Sequence, residues 1–305
     1  MIKDPYGRPV TGLRISITRR CNLNCIYCHR EGEESSHIPT EMSPEEISKI
    51  VEIATTLGIS KIKLTGGEPL IRADIVEIVR KISEIGSIQD LSITTNGVLL
   101  EKYADRLYNA GLMRVNVSLD TLDPEKYKRI TGHAFLENVK RGIKKAREVG
   151  LYPIKVNMVI LRGINEDEVW KMVEFCNRME AILQLIELVP LGTPDFGKYY
   201  VDLDKIEQEL AMRAEKVIPR KLHHRMKYYL YDGAEVEVVR PFHNSIFCAN
   251  CTRIRLTSDG KLKPCLMRND NLVDILTPLR RGASDEELKN LFLKAISLRE
   301  PFYKG

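Results

Sequence analysis

Leu13-Arg14-Ile15-Ser16-Ile17-Thr18-Arg19-Arg20-Cys21-Asn22-Leu23-Asn24-Cys25-Ile26-Tyr27-Cys28 sets a short strand-like run directly before three cysteines within eight residues. Three thiolates that close, on a loop, are built to hold a metal centre. Gaps of three residues and then two fit a 4Fe-4S cluster with three protein ligands, which leaves one iron open to a small molecule. Two other readings stand beside it: a zinc knuckle completed by His29 or His37, or three reduced cysteines packed as small apolar groups.

Outward from this stretch, apolar strands alternate with amphipathic helices as far as Glu187. The predicted strands are Leu13 to Thr18, Lys61 to Thr65, Leu91 to Thr94, Arg114 to Leu119, Ile154 to Ile160 and Leu183 to Val189. Ser43-Pro44-Glu45-Glu46 is a capping box with proline at the first helical position, and Ile47, Ile50, Val51, Ala54 and Leu57 keep helical spacing behind it. Helices follow on Ile75, Ile78, Val79 and Ile82, on Tyr103, Leu107 and Ala110, from Pro124, and on Val139, Ile143 and Ala146. Asn165, with Glu168 three residues on, is expected to cap the next. Such a series implies a parallel sheet with right-handed crossovers, all strand C-terminal ends on one side. A doubly wound sheet would gather its chemistry at one switch point. Here Cys21, Gly66-Gly67-Glu68, Asn96 and Asp120 each follow a different strand, which is the habit of a β/α barrel.

After Glu187, Pro190, Gly192, Pro194 and Gly197 form a linker-like stretch. A helix is expected from Leu203 to Arg213, strands within Val217 to Val239, and a last helix at about Ser284 to Ser297. The expected division is therefore 1–190 and 191–305. A second triad, Cys248-x2-Cys251-x13-Cys265, lies in the later part, again with zinc as a competitor if His243 completes a tetrahedral site.

The 305-residue chain has 43% hydrophobic and 29% charged residues, the balance of an ordinary globular protein. It contains no apolar run of the roughly 20 residues that span a bilayer and no signal-peptide pattern, so no membrane association and a cytoplasmic location are expected. Seven cysteines, six of them in the two triads, argue for metal binding rather than disulfides. Cys176 stands alone on the stripe Val169, Val173, Cys176 and reads as a buried structural thiol. The net charge of +5 favours an anionic substrate only if the basic residues converge.

Cys-x3-Cys-x2-Cys with Tyr27 before the last cysteine resembles the signature of the radical S-adenosylmethionine (SAM) superfamily. The resemblance implies a partial barrel of six units, a 4Fe-4S cluster on Cys21, Cys25 and Cys28, and SAM chelating its open iron. Thr65-Gly66-Gly67-Glu68-Pro69, in isolation as good a tight turn as a ligand loop, matches the superfamily's Gly-Gly-Glu-Pro motif. By that match Gly66, Gly67 and Glu68 hold the amino group of SAM, while Asn96 and Ser118 contact its ribose and carboxylate.

Cys251-Thr252-Arg253-Ile254-Arg255-Leu256-Thr257-Ser258-Asp259-Gly260-Lys261 is similar to the C-terminal motif of the GTP 3',8-cyclase family of molybdenum cofactor biosynthesis, and the likeness runs from Gly7-Arg8-Pro9 to the last helix. It implies a second 4Fe-4S cluster on Cys248, Cys251 and Cys265, whose open iron meets the guanine of GTP, in an extension that closes the barrel mouth. Arginines two apart on a strand share a face and suit phosphates. By resemblance Thr252, Arg253 and Arg255 belong to the substrate site, with Arg14, Lys61 or Lys63, Thr94 and Lys155. The same likeness implies an electron donor, cyclic pyranopterin monophosphate synthase downstream, a homodimer, and no nucleic-acid partner. Two departures stand out: Gln184 where many members carry Arg, and a Tyr303-Lys304-Gly305 ending where members end in Gly-Gly. A radical SAM peptide-modifying enzyme and a zinc-stabilised nucleotide- or RNA-binding protein are the alternatives.

Overall fold

The computed structural model describes residues 1–33, 41–193, 195–242 and 244–302. Glu34, His37, Pro194, His243 and the Tyr303-Lys304-Gly305 ending lie outside the described residues. The strands are β1 (Gly12–Ser16), β2 (Lys61–Thr65), β3 (Asp90–Thr95), β4 (Arg114–Ser118), β5 (Lys155–Val159), β6 (Ile182–Ile186), β7 (Ala214–Pro219), β8 (Met226–Leu230), β9 (Glu235–Val239), β10 (Arg253–Leu256), β11 (Lys261–Lys263) and β12 (Val273–Asp274). The helices between the first six are α1 (Pro44–Thr56), α2 (Ile75–Ser83), α3 (Leu100–Asn109), α4 (Pro124–Thr131), α5 (Leu136–Glu148) and α6 (Val169–Arg178).

Local chemistry sets these boundaries. Ser43 and Glu46 satisfy each other's backbone N–H groups at the start of α1, and Ser284 with Glu287 repeat the capping box before the last helix, Asp285–Ser297. Asn165 departs from expectation. Its side chain caps no helix; it accepts from the Leu161 N–H and donates to the carbonyls of Asp120 and Val159, and a short 3-10 turn at Glu166–Glu168 precedes α6 instead. Tying the loops after β4 and β5 together evidently outweighs the cap, because it satisfies two carbonyls and one N–H at a fully buried position.

The sheet order is β12-β11-β10-β1-β2-β3-β4-β5-β6-β9-β8-β7. The six expected parallel strands are present, and β9 and β10 extend the parallel run by one strand on either side, pairing with β6 and β1. Antiparallel hairpins finish both ends. The later part of the chain thus enters the same sheet as the earlier part.

One face of this sheet is apolar and the other polar, as a two-residue period requires. Leu13 and Ile15, Ile62 and Leu64, Val115 and Val117, Val156 and Met158, and Leu183 and Leu185 are all buried on the helix side, each contributing roughly 2 kcal/mol by leaving water. On the opposite face the register aligns Arg14 with both Arg255 and Lys63, Lys63 with Ser92, Thr94 and Lys155 with Asn116, and Gln184 with both Asn157 and Glu237. A continuous interior surface of charged and amide side chains is poor use of a core, so its purpose is binding. Cys176 is buried on α6, as its stripe predicts. Among the described residues no helix is long and apolar enough to cross a membrane.

Candidate active site

A cavity of about 380 Å³ opens on the polar face, and all six cysteines of the two triads line it. The first triad sits in a loop with a well-anchored backbone: the N–H groups of Asn24 and Ile26 donate to the carbonyls of Thr131 and Ile130 on α4, and Cys28 N–H donates to the Cys25 carbonyl. Tyr27 donates its hydroxyl to Asp120 Oδ2 at 2.5 Å, and burial pushes that carboxyl up to about 6. The aromatic before the last cysteine is therefore a tether to the end of β4. All three thiols are free, and burial raises each, with crowding by neighbouring acidic groups adding to it. A cationic metal centre would reverse that preference and hold them as thiolates. Three thiols lining one cavity match the ligand number of a 4Fe-4S cluster with one open iron. The residues fit an iron-sulfur cluster; of the fourth ligands a zinc knuckle would need, His29 lines the same cavity and His37 lies outside the described residues.

The glycine loop after β2 explains how that loop is held. Gly67 N–H donates to the Thr18 carbonyl at 2.7 Å and Glu68 N–H to the Arg20 carbonyl at 2.8 Å, so these amides hold the entry to the cysteine loop. A Cβ on Gly66 would meet Thr18 O at 2.3 Å, and one on Gly67 would meet Arg20 O at 2.1 Å. Both glycines line the cavity, but Glu68 does not. Its fully buried carboxylate accepts from Thr95 Oγ1, Asn96 N and Leu70 N, against a burial effect that pushes it up to about 7. It acts on the site through Asn96, which lines the cavity and reaches Asn22 Oδ1 at 2.7 Å. Gly67→Ala is expected to dislodge the cysteine loop and lower the iron bound by the protein, with Gly86→Ala, which meets nothing within 4 Å, as the control. Iron and sulfide per chain measure this.

The cations divide into those on the cavity and those below it. Arg14, Arg253 and Arg255 line it, with Thr94, Ser118 and Tyr27. Arg14 and Arg255 meet on the two oxygens of Glu31, at 2.6 and 2.7 Å. Burial would raise the Glu31 carboxyl, but the two guanidinium groups hold it well below the usual carboxylate range. Arg253 has no carboxylate partner among the described residues, and burial and the charges of Arg225, Arg14 and Arg255 push its pKa down. Lys63 donates to Asn116 Oδ1 at 2.8 Å below the cavity floor. Lys61 is exposed, and Thr252, whose carbonyl accepts from Thr11 and Gly12, splices β10 to β1 without lining the cavity.

Lys155 lies in a buried knot. Glu237 accepts from Lys155 at 2.6 Å, Arg220 at 2.5 Å and Gln184 at 2.5 Å. Burial would raise the Glu237 carboxyl; its cations bring it down to about 2. Glu237→Gln leaves those cations uncompensated and is expected to cost about 3 to 5 kcal/mol at neutral pH. A depressed carboxyl gives stability that is full above the ordinary carboxylate range and is lost as pH falls towards about 2. The gap in thermal midpoint between wild type and variant should therefore close on acidification.

Several cavity residues gave no sequence signal of their own. Asn157, beside Ser118 in the register, is an ordinary strand residue in the sequence. Glu31 reads as part of an acidic stretch, and His223 and Arg225 sit in an irregular hairpin. Arg8 enters the sequence reading only within Gly7-Arg8-Pro9 and Arg299 not at all, yet they hold the second triad's loop, donating to the carbonyls of Cys248 at 2.9 Å and Cys251 at 2.6 Å.

A parallel sheet whose rim carries a Cys-x3-Cys-x2-Cys loop clasped by a Gly-Gly-Glu turn defines the class of radical SAM enzymes. Residues 15–176 match the Radical SAM superfamily and residues 181–305 match Molybdenum Cofactor Synthesis C. A probable GTP 3',8-cyclase of Pyrococcus abyssi is 53% identical over 99% of this chain and 100% of the relative, and one of Methanothermobacter marburgensis is 55% identical over 100% and 99%. The chain belongs to the GTP 3',8-cyclase family. Solved structures share the fold at low identity. Streptococcus suis SuiB bound to the precursor peptide SuiA has a TM-score of 0.67 at 17% identity, over 88% of this chain and 63% of that one; anSMEcpe with bound AdoMet has 0.65 at 18%, over 96% and 81%.

Proposed function

We propose that the chain converts GTP to (8S)-3',8-cyclo-7,8-dihydroguanosine 5'-triphosphate, the first step of molybdenum cofactor biosynthesis. The observation that carries this reading is a single cavity lined by two cysteine triads and by Arg14, Arg253 and Arg255. Cys21, Cys25 and Cys28 would hold a 4Fe-4S cluster that, with an electron from an external donor, would supply reductive cleavage of SAM; the resulting 5'-deoxyadenosyl radical would take the 3' hydrogen of the GTP ribose as 5'-deoxyadenosine, and carbon 3' would add to carbon 8 of guanine with the C8=N7 π bond breaking and N7 gaining one further electron and a proton. Gly66, Gly67, Asn96 and Ser118 hold SAM at the rim, and Glu68 orients Asn96 from beneath. Arg253 and Arg255 with Arg14 bind the triphosphate, and Thr94 contacts the nucleotide. Glu31 fixes two of these arginines before substrate arrives. Cys248, Cys251 and Cys265, which line the same cavity, would hold a second 4Fe-4S cluster on the side where the guanine would bind. The protein's part is orientation and exclusion of water.

In this reading the sheet is a partial β/α barrel, residues 1–190 form the radical SAM unit, and residues 191–305 form an extension whose cysteine loop covers the barrel mouth. Lys155 and Lys63 set the charge of the floor. A homodimer in the cytoplasm, an external electron donor, and cyclic pyranopterin monophosphate synthase as the next enzyme complete it. The likeness to SuiB is one of fold and does not favour a peptide substrate. Anaerobic reconstitution with SAM, reductant and GTP should yield the cyclised nucleotide; SAM cleavage with GTP untouched would sink the substrate assignment while leaving the class intact.

A further inference from the structure

The loop joining β7 to β8 brings two residues to the cavity that the substrate site above does not use. His223 and His224 hold left-handed backbone, with φ of 62° and 50°, a region that non-glycine residues occupy only when their surroundings impose it. The turn lays the His223 ring on Phe247, centroids 3.8 Å apart, and delivers Arg225 to the cavity wall. Arg225 is only 8% exposed, and its Nε is buried without a hydrogen-bond partner. Its nearest carboxylate oxygen, Glu237 Oε2, is 3.7 Å away. Glu237 does not need it, since Lys155, Arg220 and Gln184 already donate to that carboxylate.

A buried guanidinium with an unused donor is costly unless an anion completes it. The charges around it sharpen the point. Arg225 adds to the positive field that Arg14 and Arg255 exert on Arg253, while Glu31, the carboxylate nearest those arginines, is taken up by Arg14 and Arg255. This cluster carries more positive charge than its own carboxylates offset, and a ligand with several negative charges balances it.

We infer that Arg225 is a substrate contact whose guanidinium, beside Arg253, binds the phosphate end of the nucleotide, on the side of the sheet where β6 offers Gln184 and no cation. This rests on the GTP reading above. The test uses anaerobically prepared enzyme holding its clusters and measures equilibrium binding of GTP, inorganic tripolyphosphate and guanosine to wild type, R225Q and R225K. Glu237 keeps Lys155 and Arg220 in both variants, so the fold is retained. R225Q should weaken GTP and tripolyphosphate by about 30-fold each, the range for one charged hydrogen-bonding group, with guanosine unchanged and R225K recovering part of the loss. The KM for GTP should rise with kcat nearly kept. Unchanged tripolyphosphate affinity in R225Q, or an equal loss for guanosine, overturns the inference. If wild type fails to cyclise GTP, the proposed reaction falls, and the tripolyphosphate comparison still decides the role of Arg225.

Discussion

Cys25→Ala is expected to abolish reductive cleavage of SAM and, with it, every turnover of the nucleotide. Cys25 lines the cavity in a loop whose backbone is fixed by α4 and by the Gly67 and Glu68 amides, so the alanine variant should keep that loop in place while losing one of the three thiols proposed to hold the cluster. If both triads hold the proposed clusters, iron should fall from about eight to about four per chain, four for each cluster. A variant that still released 5'-deoxyadenosine would show that the radical is made elsewhere.

Cys251→Ala is expected to lose the same amount of iron with a different functional result. SAM cleavage should persist, uncoupled from product, while cyclised nucleotide falls by about a hundredfold or more, as misplacement of a bound reactant entails. The loop should survive the change, because Arg299 and Arg8 hold the carbonyls of Cys251 and Cys248 and not their sulfur atoms. The contrast between two variants of equal iron content separates the making of the radical from the placing of its target. Loss of both activities in Cys251→Ala would mean that the second triad only supports the fold.

The strands and helices up to Glu187 were legible because their apolar residues keep clean periods of two and 3.6 and because Ser43 and Pro124 mark helix starts. What the sequence hid is long-range. Nothing local says that β9 and β10 join the parallel run, since β9 follows an antiparallel neighbour and only the five-residue helix Ser245–Ala249 precedes β10. Asn165 fits a cap by its spacing from Glu168, but it is spent on three backbone groups that only the folded loops bring near. Arg14, Arg253 and Arg255 could be grouped by motif and strand parity; Glu31, which joins two of them, could not, because its left-handed backbone (φ 54°) and its reach across to β1 and β10 are set by tertiary contacts. Lys61 and Lys63 share a strand face and a charge, and only the register shows that one is at the exposed lower end and the other inside.

In the proposed reaction one cavity generates a radical from SAM and directs it to the ribose of GTP. Anaerobic enzyme holding its clusters, supplied with SAM, reductant and GTP deuterated at the 3' position, tests it in a single mass measurement. The expected result is 5'-deoxyadenosine carrying the deuterium and a nucleotide product with its 3' carbon joined to carbon 8. Unlabelled 5'-deoxyadenosine beside unchanged deuterated GTP would contradict it.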